Sequence, residues 1–225
     1  KILKVSSISI NSLSAISNLF NLTHLALDCD CEHLDDLSNL KNLISLDISG
    51  YYSSLKLKNI DSIAKLAKLT KLKLANLSET KSLPRAIGSL SQLTELSLIE
   101  WKELPNVDAL ANCIKLQSIK FDGYILGGDL ACLPDGLAKI QNLKRIYIKH
   151  AELTNVDGLA NLPNLTTLGL DNCDNLQNVD GLANLPNLTS LNLWCDKVCP
   201  KPSKEKMITR EEVAAYQEEI KKAMK

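Results

Sequence analysis

Residues Asn155–Thr166 read NVDGLANLPNLT, and Asn178–Thr189 read the same twelve residues again, 23 positions later. Each copy runs on into an L-T-x-L-x-L frame, through Leu165, Leu168 and Leu170 in the first and Leu188, Leu191 and Leu193 in the second. The alternation in L-x-L is that of a short strand with one buried face. Before it, Val156, Leu159, Leu162 and Leu165 are spaced by three, which suits a 3₁₀ or irregular segment. Asp157 is expected to cap the start of that segment, and Gly158 to permit a tight turn. Pro163 disfavours helix at Leu162, so the chain turns back toward the next strand. The twelve-mer is therefore the outer wall of one coil plus the beginning of the next strand.

The same frame recurs upstream. It appears as Leu22-Thr-His-Leu25-Ala-Leu27, Leu43-Ile-Ser-Leu46-Asp-Ile48, Leu69-Thr-Lys-Leu72-Lys-Leu74 and Leu93-Thr-Glu-Leu96-Ser-Leu98. Diverged forms are Leu116-Gln-Ser-Ile119-Lys-Phe121 and Leu143-Lys-Arg-Ile146-Tyr-Ile148, and Val5-Ser-Ser-Ile8-Ser-Ile10 matches at the start. The central apolar residues, from Ile8 to Leu191, are separated by 17, 21, 26, 24, 23, 27, 22 and 23 residues. One such strand cannot bury its face alone, but stacked neighbours bury each other's leucines in a continuous column. Each coil then needs the same residue types at the same places.

Over about residues 5–196 this pattern resembles the leucine-rich repeat family, whose unit is roughly 20–29 residues around an L-x-x-L-x-L core. Asp171-Asn-Cys173 fits the family's Asn/Cys position. The resemblance implies an α/β solenoid: a curved right-handed superhelix with a parallel β-sheet on its concave side and 3₁₀ or irregular segments on its convex side. The last units are similar to the family's short class of roughly 22 residues, while Leu83-Pro84-x-x-Ile87-Gly88-x-Leu90 is similar to a class common in plant and bacterial surface proteins. Mixed classes, Asn-rich turns and a late perfect duplication resemble a bacterial surface or secreted member. Two longer units carry Gly50–Ser54 and Gly123–Gly128, expected to bulge as loops beyond the strand ends.

The sequence divides into a repeat domain over 1–198 of about nine units, a Pro-containing linker over 199–208 and a C-terminal helix over 209–225. Cys199-Pro-Lys-Pro-Ser203 reads as a stiff connection. Thr209-Arg-Glu-Glu212 is a capping box. Glu211 and Glu212 in the first turn and Lys221 and Lys222 in the last suit the helix dipole. Val213, Tyr216, Ile220 and Met224 form an apolar stripe, expected to pack down over the last coil; a partner-binding or oligomerising helix and a loosely attached tail are the alternatives. At the other end repeats begin at once, so a cap is expected upstream of Lys1, and a removed export signal is one candidate for what precedes it. That favours a secreted, periplasmic or cell-surface location, with the protein a monomer or weak dimer.

Lys+Arg and Asp+Glu are both 26, so a net charge of zero provides no long-range attraction to nucleic acid. No apolar run approaches the roughly 20 residues of a membrane span. Seven cysteines (Cys29, Cys31, Cys113, Cys132, Cys173, Cys195 and Cys199) leave at least one unpaired within a monomer. Their spacings match no zinc template. Buried free thiols are the main expectation, with a Cys195–Cys199 disulfide and metal ligation as alternatives.

Catalytic constellations are absent, and no cofactor or metal is implied. His24, His33 and His150 fall where the repeat frame puts them, and none adjoins a nucleophile elbow, a zinc-binding helix or a phosphate-cradling loop. Cys113 takes the place of Leu162 and Leu185, which suits a buried apolar role. Asn-x-Ser/Thr triplets at Asn21, Asn76, Asn164 and Asn187 read as products of the repeat frame.

Function then lies on surface positions. The x residues of the strands form columns on the concave face. One runs Ser9, Ala26, Asp47, Lys73, Ser97, Lys120, Tyr147, Gly169, Asn192; the next runs Asn11, Asp28, Ser49, Ala75, Ile99, Asp122, Lys149, Asp171, Trp194. Lys71, Lys73, Lys120, Lys144, Arg145 and Lys149 make the middle of the face basic, whereas Asp28, Asp30, Glu32, Asp35, Asp36 and Asp47 make its beginning acidic. Tyr147, Trp194, Trp101 and Ile99 are apolar groups at exposed positions, and aromatic and arginine anchors dominate protein interfaces. Lys73, Lys120, Arg145, Tyr147, Lys149 and Trp194 are the candidate ligand-binding residues. A solvated face without a partner, and a Trp194 packed against the C-terminal helix, are the plainer alternatives. The resemblance implies a non-enzymatic scaffold binding a protein partner on the concave face. Two other functions remain open: a carbohydrate or cell-wall binder stacking sugars on Tyr147, Trp194 and Trp101, and an intracellular regulatory subunit.

Overall fold

A computed structural model of the chain describes residues 1–8, 13–29, 33–49, 60–75, 83, 85–99, 107–122, 133 and 135–225. The expected bulges at Gly50–Ser54 and Gly123–Gly128 lie outside the described residues, as do Trp101, Cys31, Cys132, Asn76 and the side chain of Cys29.

Among the described residues, ten strands form one sheet in sequential order. They are β1 (Ile2–Ile8), β2 (His24–Cys29), β3 (Ser45–Ser49), β4 (Lys71–Ala75), β5 (Glu95–Ile99), β6 (Ser118–Asp122), β7 (Arg145–Lys149), β8 (Thr167–Asp171), β9 (Ser190–Trp194) and β10 (Lys206–Met207). The first nine are parallel, and β10 runs antiparallel to β9. Between strands, 3₁₀ turns build the other wall, as at Asp35–Asn39, Asp108–Asn112, Asp157–Leu159 and Asp180–Leu182. An α-helix, α1 (Arg210–Ala223), follows the sheet. This is the solenoid expected from the repeat.

The central leucines stand in lateral register: Leu25, Leu46, Leu72, Leu96, Ile119, Ile146, Leu168 and Leu191 are successive partners across the sheet, and all are buried. The first coil departs from the expected frame. Leu3 pairs with Leu25 and Val5 with Leu27, while Ile8 falls opposite Cys29 beyond a register shift. The true frame is Leu3-Lys-Val5, so the first step is 22 residues and the outlying step of 17 disappears. Lys4, not Ser9, begins the concave column.

The N-L-T of the twelve-mer stitches coils together. Asn42, Asn142, Asn164 and Asn187 donate their side-chain amides to the backbone carbonyls of Phe20, Ile114, Gln141 and Pro163 on the preceding coil, at 2.8, 2.6, 2.9 and 2.8 Å. Two residues on, the threonine hydroxyls do the same. Thr70 donates to Ile44 O, Thr94 to Thr70 O, Thr166 to Lys144 O and Thr189 to Thr166 O, at 3.0–3.2 Å. The same carbonyls also accept two backbone N–H groups, as Lys144 O does from Thr166 and Thr167 at 2.9 and 3.0 Å. Each exposed bond contributes about 0.5–1.5 kcal/mol, and the repeat makes it again in successive coils.

Two expectations for the outer wall are corrected. Asp157 does not cap its turn; its own N–H donates to Asn155 Oδ1 at 3.2 Å, and Asp180 N–H donates likewise to Asn178 Oδ1 at 2.7 Å. The asparagine that opens the twelve-mer makes the turn, by the side-chain-to-backbone bond to which Asn is suited. Gly181 is needed for space, and neither it nor Gly158 takes a left-handed backbone. A Cβ at Gly181 would stand 2.3 Å from Val156 O, whereas at Gly158 the nearest atom is Leu133 Cβ at 3.3 Å.

Past β9 the chain stays tied to the solenoid. Cys199 N–H donates to Gln177 O at 2.9 Å, the Cys199–Pro200 peptide is cis, and Leu193 N–H donates to Glu205 O at 2.7 Å. The capping box forms: Thr209 Oγ1 accepts from Glu212 N–H at 3.3 Å, and Glu212 Oε2 accepts from Thr209 N–H at 3.2 Å. Helix α1 packs on β9 and the last 3₁₀ turn. Val213, Tyr216 and Ile220 are buried there; Met224, the expected fourth member of the stripe, is 52 % exposed because the helix has run past the coil. Gln217 Nε2 donates to Leu182 O and Leu185 O at 2.8 and 3.1 Å, satisfying carbonyls of the final outer wall, and Tyr216 OH donates to Pro200 O at 2.6 Å.

The two identical twelve-mers should respond differently to the same substitution. Gly181→Ala forces a Cβ into a backbone carbonyl and should cost about 1–3 kcal/mol, while Gly158→Ala meets Leu133 Cβ at 3.3 Å, a contact that a small shift relieves, and should cost under about 1 kcal/mol. Urea denaturation of both variants measures the difference. Glu212 makes a second test. Its carboxyl is held below the usual range by Lys204 first and then by the N–H of Ile208. A depressed pKa gives stabilisation that is present above the unfolded-state value and is lost as pH falls through the folded-state one. Helical circular dichroism should therefore decline as the pH drops below about 4, and Glu212→Gln should flatten that dependence.

Candidate recognition surface

Lateral register decides which concave side chains meet, because partners across the sheet lie 21 to 27 residues apart in sequence. Lys73 on β4 meets Asp47 on β3, Nζ to Oδ2 at 3.0 Å. Lys71 meets Glu95 at 3.0 Å, and Lys149 on β7 meets Asp171 on β8 at 3.7 Å. Lys120 pairs along its own strand with Asp122 at 2.8 Å. The basic middle expected from the columns is thus interleaved with carboxylates, and these four lysines are neutralised in place. Arg145 has no ion pair among the described residues. Such half-exposed pairs contribute little stability, about 0–1 kcal/mol each, but they remove net charge from the face.

Of the six candidates, Arg145, Tyr147 and Lys149 share β7, Lys120 is the register partner of Tyr147, and Trp194 lies two strands on. Lys73 stands three strands from β7, about 14 Å away at ordinary strand spacing, and does not join them.

Tyr147 and Trp194 are 40 % and 55 % exposed. Trp194 is therefore not covered by α1. Ile99 is half-buried between Ala75 and Asp122. Beside Tyr147, Gly169 is the register partner on β8, and a Cβ there would stand 2.9 Å from Tyr147 Cδ1 and 3.5 Å from Cε1. The absent side chain lets the phenol ring lie across the neighbouring strand. Gly169 was legible as a gap in its column, yet its consequence for Tyr147 depends on register. Next in the column is Asn192, whose Oδ1 is buried without a hydrogen-bond partner, as is Asp171 Oδ1.

At the rim above these strands lies a group not singled out from sequence. His150 and Asn172 have φ of 55° and 53°, the left-handed region that non-glycine residues seldom occupy. His150 Nε2 is 3.0 Å from Asn172 Nδ2, and His150 Nδ1 is 3.7 Å from Asp122 Oδ1. The backbone turns because His150 N–H bonds Asp171 O and Asn172 N–H bonds Trp194 O, each continuing the ladder past the strand. The sequence signal was the polar residue that directly follows both β7 and β8.

Elsewhere, His24 is exposed at the start of β2 with Nδ1 2.9 Å from Thr23 Oγ1, and His33 is exposed. Cys113 is buried, donates to Ile87 O at 3.4 Å, and burial pushes its thiol up to about 11, as a core residue's would be. Among the described residues no group of His, Cys, Asp and Glu is placed to hold a metal ion, and no helix is long and apolar enough to cross a membrane.

No family model matches the chain. A putative disease resistance protein of Arabidopsis thaliana is 27 % identical over 200 residues, which cover 78 % of this chain and 16 % of that protein. Among solved structures, an internalin of Listeria monocytogenes superposes with a TM-score of 0.55 at 22 % identity, covering 88 % of this chain and 61 % of its own. A leucine-rich repeat protein of Leptospira interrogans gives 0.50 at 24 % identity, covering 83 % and 58 %. The mouse RP105/MD-1 complex gives 0.61 at 18 % identity, covering 84 % and 37 %. The chain thus spans less than two thirds of each of these proteins. The nine-fold frame, the sequential parallel ladder with its 3₁₀ outer wall and these likenesses identify the chain as a leucine-rich repeat solenoid.

Proposed function

We propose that the chain is a non-enzymatic scaffold that binds a protein partner through its concave face, at the end of the sheet formed by β6 to β9. The observation that carries this reading is the pair of exposed aromatics, Tyr147 and Trp194, on a face whose lysines are tied to carboxylates. Aromatic anchors surrounded by near-neutral polar contacts are the usual energetic centre of a protein interface. Arg145, Lys120 and Lys149 border them and supply orientation, whereas Lys73, three strands from β7 and paired with Asp47, lies at the edge of the patch. The internalin and the RP105/MD-1 complex share the fold and support the reading only to that extent.

A second reading rests on the lie of Tyr147 over Gly169. A ring spread along the sheet is also suited to stacking on the apolar face of a sugar.

Affinity capture from cell extract and culture medium separates the readings. Tyr147→Ala with Trp194→Ala should lose the captured protein by at least about tenfold, while Lys73→Ala should retain it. Because the lysines are paired, raising salt should weaken capture by less than it would for an unpaired basic patch. Retention of the same proteins by the double variant would contradict the proposal, and binding to a glycan surface without any protein capture would favour the second reading.

A further inference from the structure

We propose that Cys173 and Cys195 are a disulfide-forming pair that staples the last two coils of the solenoid together. Cys173 lies two residues past β8 and Cys195 directly follows β9. The Asn172 N–H to Trp194 O bond, 2.8 Å, carries the parallel ladder one residue beyond both strands. Asn172 and Cys195 therefore stand side by side at about 4.8 Å, and Cys173 is the next residue along. That offset places the two cysteine Cα atoms within the roughly 4.4–6.8 Å that a disulfide spans.

Both side chains turn inward. Cys173 is fully buried and Cys195 nearly so. Their sulfurs approach carbonyls of consecutive residues: Cys173 Sγ is 3.8 Å from Asp171 O, and Cys195 Sγ is 3.6 Å from Leu170 O. They also act on each other. The Cys195 thiol donates toward the Cys173 sulfur, which lowers the Cys173 pKa against the effect of burial and keeps the proton on Cys195. Either sulfur can open a thiol–disulfide exchange, and the lowered pKa favours Cys173. Cys199, the partner expected for Cys195 from spacing alone, is exposed, and its backbone N–H is committed to Gln177 O.

The oxidant is a low-molecular-weight disulfide such as oxidised glutathione. The Cys173 thiolate attacks one of its sulfurs and releases one thiol, leaving a mixed disulfide. Cys195, losing its proton to solvent, attacks the Cys173 sulfur and releases the second thiol. Two protein thiols are oxidised, one disulfide is reduced to two thiols, and protons balance. The bond would close a loop of one complete coil. It would also hold Trp194, the neighbour of Cys195, against β8, so the redox state of the surroundings would set the rigidity of that end of the concave face.

The test starts from reduced, unfolded full chain, refolded in a mixture of oxidised and reduced glutathione, then alkylated and digested with trypsin. No Lys or Arg lies between His150 and Lys197, so Cys173 and Cys195 share one peptide, while Cys199 falls in 198–204. The expected result is an unalkylated 150–197 peptide lacking two hydrogens, in wild type and in Cys199→Ser alike. The oxidised form should melt about 5 °C or more above the dithiothreitol-reduced form, and Cys173→Ala should abolish that difference. Alkylation of both Cys173 and Cys195 after refolding, or a 150–197 peptide linked to 198–204, would overturn the proposal.

Discussion

Every coil of this protein is held in place by the carbonyl of the coil before it. The residue preceding each of β1 to β8 presents one oxygen that accepts two backbone N–H groups and, in five of the coils, a threonine hydroxyl as well. That cluster sets lateral register. Register in turn stacks Leu46 on Leu72 on Leu96 and so closes the core, since a strand displaced by one residue would turn its leucines to solvent. Two surfaces follow from the same constraint: a tight outer wall where Gly181 must pass under Val156 O, and a concave wall where side chains about one repeat apart become neighbours.

What could be read from the sequence divides along this line. Features repeated within a coil were legible: the L-x-L strands, the outer wall, the capping box of α1. Features that depend on contact between coils were not. The first coil was misframed because Val5-Ser-Ser-Ile8-Ser-Ile10 fills the whole L-x-x-L-x-L frame, whereas Leu3-Lys-Val5 fills only its second half, and pairing with β2 selects the latter. Strand β10 is two residues long, too short to carry a period, and exists because β9 offers it an edge. In the candidate site, the positions of Lys120, Tyr147, Lys149 and Trp194 on one face were legible. The pairing of Lys73 with Asp47 and Lys149 with Asp171 was not, nor was the rim formed by Asp122, His150 and Asn172, since each joins different coils.

This changes the character of the face. Columns of residue types suggest a basic middle and an acidic beginning, hence electrostatic attraction. Pairing with carboxylates cancels the charge of Lys71, Lys73, Lys120 and Lys149 locally and leaves Arg145 beside two exposed aromatic rings. A face of this kind discriminates by shape and desolvation more than by steering.

The two ends of the solenoid differ as well. At the β10 end, α1 buries the last outer wall and Gln217 satisfies its carbonyls, whereas at the β1 end Ile2, Leu19 and Phe20 are 70, 42 and 54 % exposed. If coil-to-coil contacts are what hold this protein together, stability should be graded along it. Native-state hydrogen exchange on the chain tests that most directly. The amides of Thr189 and Ser190, bonded to Thr166 O, should exchange far more slowly than those of Thr23 and His24, bonded to Lys1 O, with intermediate coils in order between. Equal protection at both ends, lost in a single cooperative step, would contradict the account.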